Sequence, residues 1–178
     1  QCTARGVIAW RRMSSAMSSP ADVDSLDAIV SALYASVSFP SGSSPDWARF
    51  RSLFEPSALM IRVDPRVTAL PPSERSDAPA LIATPVDAYI ARTQALIDGG
   101  TLRGFEEREL VRRTEVFGDV AQVFSSYERS VEGSPLVRGV NSMSLVKDGL
   151  RWWIAAVAWT DETPDNPLPA RLVPRSPA

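Results

Sequence analysis

Arg138-Gly139-Val140-Asn141-Ser142-Met143-Ser144-Leu145-Val146-Lys147-Asp148-Gly149-Leu150-Arg151-Trp152-Trp153-Ile154 decides the fold. Apolar side chains recur at every second position on both sides of Asp148-Gly149, and the second run continues to Thr160. A period of two is strand patterning, and Asp-Gly suits a two-residue hairpin turn because both residue types tolerate positive φ. Upstream, Gly118-Asp119 separates two more strand-like runs, Arg103 to Phe117 and Val120 to Val131. Long strands in sequence, joined by hairpins, predict an antiparallel meander.

The chain ahead of the meander is helical. Ser19-Pro20-Ala21-Asp22 has helix-start chemistry, a capping hydroxyl, a proline at the first helical position and an early acid. Val23, Leu26, Val30, Leu33 and Val37 then form one apolar stripe, which ends before Phe39-Pro40-Ser41-Gly42. Ser44-Pro45-Asp46 opens a short helix carrying Trp47, Phe50, Leu53 and Phe54, and a strand follows at Ser57 to Val63. Residues 64–83 hold Pro65, Pro71, Pro72 and Pro79 and are expected to be irregular, a lid, a binding loop or disorder. Thr84-Pro85-Val86-Asp87 starts another helix with Val86, Tyr89, Ile90, Thr93, Leu96 and Ile97 inward, ending at Gly99-Gly100. The proline-rich stretch from Asp161 to Ala178 reads as an extended strap that frays. The expected plan is a disordered or non-native extension at 1–18, one α+β domain at 19–169 and a tail at 170–178. Helices segregated onto one face of a curved antiparallel sheet make a cone wrapped around the long N-terminal helix.

Composition narrows the function. Nineteen basic residues against 21 acidic ones give a net charge of −2, without the basic surplus a nucleic-acid binder needs. The chain of 178 residues has no His, which removes His-based triads and His metal sites. It has one Cys, Cys2, so no internal disulfide and no thiolate cluster, and one lysine, Lys147, beside a turn. No metal or cofactor is expected. The apolar run from Trp152 to Trp159 is far shorter than the ~20 residues of a spanning helix. Arg11 and Arg12 follow the apolar piece Gly6 to Trp10, the wrong order for a secretory signal. The expectation is a cytoplasmic protein starting at Met13 or Met17, with an anchoring role for Cys2 as the rival.

Several motifs resemble bacterial members of the nuclear transport factor 2-like superfamily, which includes ketosteroid isomerase, scytalone dehydratase and the SnoaL-type cyclases. They are Gly104-Phe105-x-Glu107-x-Glu109, Phe117-Gly118-x-x-Ala121-x-Val123, Ser126-Tyr127-Glu128, Arg138-Gly139-Val140-Asn141-Ser142, Asp148-Gly149, Arg151-Trp152-Trp153-Ile154 and Trp159. The likeness covers Asp22 to Pro169. It implies the cone fold, a pocket and, commonly, a homodimer through the sheet. It does not imply one activity, because this fold hosts enzymes, binding modules and dimerisation modules.

Strict alternation from the two turns assigns faces. Val116, Thr114, Arg112, Leu110, Ala121, Val123, Ser125, Tyr127 and Arg129 face the cavity, and Glu109, Val111, Phe124 and Glu128 face out. In the second hairpin Lys147 pairs with Leu150, so Asn141, Met143, Leu145, Trp152, Ile154, Ala156 and Ala158 face in. Trp153, Val157 and Trp159 then face out, as an interface or under the tail. Tyr127 is a candidate oxyanion or proton donor, or a core tyrosine. Arg112 suits a ligand carboxylate or enolate, or pairs with a Glu. Asn141 orients a ligand or satisfies backbone. Tyr89 and Trp152 are candidate ligand contacts. Asp64, at the end of the first strand, is a general base with a raised pKa if desolvated, or a turn residue before Pro65. Glu107, Glu109, Arg113, Glu115 and Glu128 read as ion pairs on an outer face rather than as a metal site.

Three functions follow. The first is a domain binding a small, partly apolar molecule. The second is a cofactor-independent lyase or isomerase that polarises a carbonyl with Tyr127, Arg112 and Asn141 and uses Asp64 as base. The third is a homodimerisation module.

Overall fold

The computed structural model describes residues 19–74 and 79–175. The expected N-terminal extension, with Cys2, Met13 and Met17, lies outside the described residues. Ser19-Pro20 opens a single 3-10 turn, Pro20–Asp22, rather than the helix itself. Helix α1 spans Leu26–Val37 and is capped by Ser25, whose hydroxyl accepts from the Ala28 amide. Its stripe of Ile29, Val30, Leu33, Tyr34 and Val37 is buried. Helix α2 is Trp47–Ser52, capped by Asp46, and the single turn α3 is Pro65–Thr68. Helix α4 is Val86–Asp98.

Among the described residues six strands make one sheet: β1 Phe54–Val63, β2 Leu81–Pro85, β3 Phe105–Phe117, β4 Val120–Val131, β5 Val137–Lys147 and β6 Trp152–Asp161. Their order is β2-β1-β6-β5-β4-β3. The four C-terminal strands are the expected meander. Strand β1 returns beside β6 in parallel, so the sheet is mixed. Strand β2 begins inside the stretch expected to be irregular and takes in Thr84 and Pro85, expected to open the helix; only its last residue is a proline, and it pairs antiparallel with the outer edge of β1. A proline at a strand end costs the ladder no bond. The sheet curves around α1, α2 and α4, and their apolar faces merge with its concave side in one core.

Two β-bulges set which side chains face inward. In β3, Glu109 opposes Tyr127 but Val111 opposes Ser126, so Leu110 is an extra residue. In β6, Ile154 opposes Leu145 but Ala156 opposes Ser144, so Ala155 is extra. Each extra residue reverses the alternation beyond it. Glu107 and Glu109 therefore turn into the cone, whereas strict alternation placed them outside. Val157 and Trp159 turn in as well, and Ala156 and Ala158 turn out. The β5–β6 turn is also longer than expected: Lys147 pairs with Trp152, and Asp148 accepts from the amides of Leu150 and Arg151.

The C-terminal strap crosses the convex side. Leu172 is buried there, and its carbonyl accepts from the Ser126 hydroxyl at 2.7 Å. The strap leaves Phe124, Val120 and Leu59 exposed on that side.

Candidate functional site at the head of the cone

The bulge in β3 brings Glu107 beneath α1, next to Asn141 of β5. Asn141 Nδ2 donates to Glu107 Oε1 at 2.9 Å and to Tyr34 Oη at 3.1 Å. Among the described residues Glu107 makes no ion pair. Some of its surface reaches solvent, but protein fills most of the space around it. Removal from water pushes its carboxyl up to about 7, against the hydrogen bond from Asn141, which favours the charged form.

Aromatic rings close the space beside Glu107. Trp159 is opposite Asn141 on β6. Tyr89 of α4 meets Trp159 edge-on at 6.0 Å and stacks on Phe50 at 5.7 Å. Burial raises the Tyr89 phenol to about 12, and the Glu107 charge adds to the effect. Glu107 and Asn141 thus form a polar centre beside a core against which Tyr89 and Trp159 pack.

A second set lies two residues further along β5 and β6. Tyr127, Gly139 and Asp161 are opposite one another on β4, β5 and β6. The Tyr127 ring lies flat across Gly139, and its hydroxyl donates to Asp161 Oδ1 at 2.7 Å. Burial, then the Asp161 charge, drives this phenol far above the ordinary range. Arg129 donates to the same carboxylate, 2.9 Å from Oδ2.

A third set runs outward under α1. Tyr34 Oη lies 2.7 Å from Ser125 Oγ, Ser125 donates to Glu109, and Arg112 grips Glu109 and reaches Asp27. A cleft of about 330 Å³ opens between α1 and β3 beside this chain, with Tyr34, Ser38, Glu107 and Glu109 in its walls.

The structure brings together two of the residues singled out in the sequence, Asn141 and Tyr89. Arg112 faces inward, but its guanidinium is held by Glu109 and Asp27 rather than left for a ligand. The Tyr127 hydroxyl is committed to Asp161. Trp152 is buried against the core by Val23, whose carbonyl accepts its amide, seven residues along β6 from Trp159. Asp64 does not have the raised pKa expected of a base. Hydrogen bonds from Arg66, with the nearby Arg62 charge, hold it below the usual carboxylate range, and it caps α3. Glu107, Trp159, Arg129 and Asp161 were not legible as a site. Their one sequence signal is a break in alternation, Leu110-Val111 and Ile154-Ala155-Ala156-Val157, where adjacent apolar residues mark the bulges. Among the described residues no group of three or more Cys, Asp or Glu is arranged to hold a metal ion. No described helix is long and apolar enough to cross a membrane.

Searches of solved structures find this architecture elsewhere. A candidate ketosteroid isomerase from Parabacteroides distasonis superposes with a TM-score of 0.50 at 12% identity, over 80% of this chain and 97% of that one. The chain has the nuclear transport factor 2-like fold. Bdellovibrio bacteriovorus Bd1075 is similar at a TM-score of 0.51 and 9% identity, over 78% of this chain. The match covers only 40% of that longer protein. A nuclear transport factor 2-like protein from Salmonella enterica gives 0.47 at 13% identity, over 70% of this chain and 80% of that one. At these identities the likeness is one of fold alone. No family model and no curated protein matches the chain.

Proposed function

We propose that this chain is a pocket domain that binds a small, partly apolar molecule at Glu107 and Asn141. One observation carries the reading: a carboxyl at the head of the cone that, among the described residues, has a single side-chain hydrogen bond and no ion pair, and that burial raises to about 7. Such a group accepts a hydrogen bond from a ligand hydroxyl or amide when charged, and donates one to a carbonyl when neutral. Tyr89 and Trp159 supply the apolar contact.

The test is a thermal-shift screen at pH 6 and pH 8 against small carbonyl compounds, polyketide-like aromatics, steroids and fatty acids. A ligand at a hundredfold excess over Kd should stabilise the fold by about 2.7 kcal/mol. The expected shift disappears in Asn141→Ala and changes its pH dependence in Glu107→Gln. A ligand whose shift survives both substitutions sinks the reading.

The same observation favours a second reading, a cofactor-independent lyase or isomerase. A base is most effective when its pKa lies near the working pH, and Glu107 rather than Asp64 meets that condition. Turnover of a compound found in the screen, lost in Glu107→Gln, is the outcome it requires.

We further propose that two copies pair through the convex sheet face, in a reducing cytoplasm. Phe124, Ser142, Ala158 and Ile61 lie in one register row there, apolar except for Ser142, beside exposed Val120 and Leu59. Apolar rows on an open sheet face suit an interface. Sedimentation velocity should show a dimer that Phe124→Glu converts to a folded monomer. A monomeric parent protein would remove this part of the proposal.

A further inference from the structure

Glu107 and Arg129 are directly opposite each other on β3 and β4, on the same concave face. Opposite residues of an antiparallel pair have Cβ atoms about 5 Å apart. A carboxylate and a guanidinium so placed ordinarily form an ion pair. Here they do not. The Arg129 guanidinium turns away and meets Asp161, with Nη2 at 2.9 Å from Oδ2 and Nε at 3.4 Å from Oδ1. Asp161 comes within reach because the bulge at Ala155 turns it inward. It is also held in place: Tyr127 crosses Gly139 and donates to it at 2.7 Å.

We propose that Asp161 is a positioning residue that withholds Arg129 from Glu107, leaving the carboxyl at the head of the cone free to exchange a proton with a bound molecule. This rests on Glu107 being the centre of the site. Among the described residues, the other groups that face Glu107 leave Arg129 as the one cation within pairing reach. On α1 these are the Tyr34 hydroxyl, which accepts from Asn141, and on α4 the Tyr89 phenol. On β3, Glu109 is already bound by Arg112. On α4, Arg92 lies over the Tyr89 ring, 5.9 Å from its centre. The cluster of Glu107, Asp161 and Arg129 therefore has more acid than base, and its single cation is taken. Such a site selects uncharged or cationic molecules over anions, because an anion would meet two carboxylates and no available guanidinium.

The experiment reads the Glu107 titration directly, by NMR of side-chain carboxyl carbons, with Glu107→Gln as the assignment control. Asp161→Asn keeps the shape and the bond from Tyr127 but removes the charge that holds Arg129. The expected result is a fall of the Glu107 pKa by a full unit or more as Arg129 turns to it, a fall that the double variant Arg129→Gln/Asp161→Asn, which also lacks the Asp161 charge, should not show. Asp161→Glu should keep the parent value. An Asp161→Asn titration equal to the parent's overturns the proposal. If Asp161→Asn does not fold, the neutral double variant Arg129→Gln/Asp161→Asn decides. Its Glu107 should titrate within half a unit of the parent, whereas a rise of more than one unit shows that Arg129 was Glu107's partner all along. The parent protein tests the site itself. A parent Glu107 that titrates near 4 overturns the reading of the site, and the effect of Asp161→Asn is still read against that value.

Discussion

Gly139→Ala is expected to lower stability by about 3 kcal/mol or more, because the added methyl has no room. An ideal Cβ at this position would overlap Tyr127 Oη, Tyr127 Cζ and the Thr160 carbonyl oxygen. The Thr160 contact is backbone of the neighbouring strand, so a side-chain rotation cannot relieve it. Displacing Tyr127 would also break its bond to Asp161 in a place that is nearly dry. An unsatisfied buried donor costs about 1–3 kcal/mol by itself. For a domain of this size the melting temperature should fall by roughly 6–12 °C. Thermal and urea melts measure it. A second variant separates the two contacts: Tyr127→Leu should lose part of its own cost when combined with Gly139→Ala, because the ring is already gone. A loss below about 1 kcal/mol in Gly139→Ala would mean that the ring does not cross the glycine.

The second large effect belongs to Glu107 and is a pH dependence. Its carboxyl stands at about 7 in the fold, against 4.5 for an ordinary glutamate. Between those values the folded chain holds a proton that the unfolded chain has released. Stability must therefore fall as pH rises through that interval. The contribution is fully present below pH 4.5 and is lost by the time pH passes 7. At about 1.36 kcal/mol per pH unit the whole gap would be about 3 kcal/mol, and solvent access at Glu107 reduces this to about 1–2. Glu107→Gln, which keeps the acceptor for Asn141, should be more stable than the parent at pH 8 by that amount and equal to it near pH 4. Urea unfolding at closely spaced pH values checks both. The same difference between variants at pH 4 and pH 8 would show that Glu107 titrates normally.

These two residues also show where sequence reading stops. Gly139 and Glu107 were both visible in motifs, yet neither could be given its role. Gly139 matters because Tyr127 is its cross-strand neighbour, a fact of register. Glu107 matters because Leu110 is extruded from the ladder. A single extra residue reverses every later side chain, and alternation counted from the β3–β4 turn is correct only as far as Val111. Arg112, Thr114 and Val116, on the near side of the bulge, face the cone as alternation predicts. Glu109 and Glu107, beyond it, do not follow it. The same holds on β6, where Trp152 and Ile154 are placed correctly and Val157 and Trp159 are not.

The sequence by itself determined the long helices, the four C-terminal strands and their layering, but not β2. Period-two runs bracketed by Gly118-Asp119 and Asp148-Gly149 produce hairpins, and a period-3.6 stripe ending at a Pro-Ser-Gly turn produces a helix with one buried face. These are local properties, decided by neighbours along the chain. Only the tertiary structure decided the site. Bulges, the pairing of β1 beside β6, the choice of Arg129 between two carboxylates and the partial burial of Glu107 depend on residues far apart in sequence. Desolvation and ion pairing act through space, and the register that brings the groups together is settled by the packing of the whole sheet against its helices.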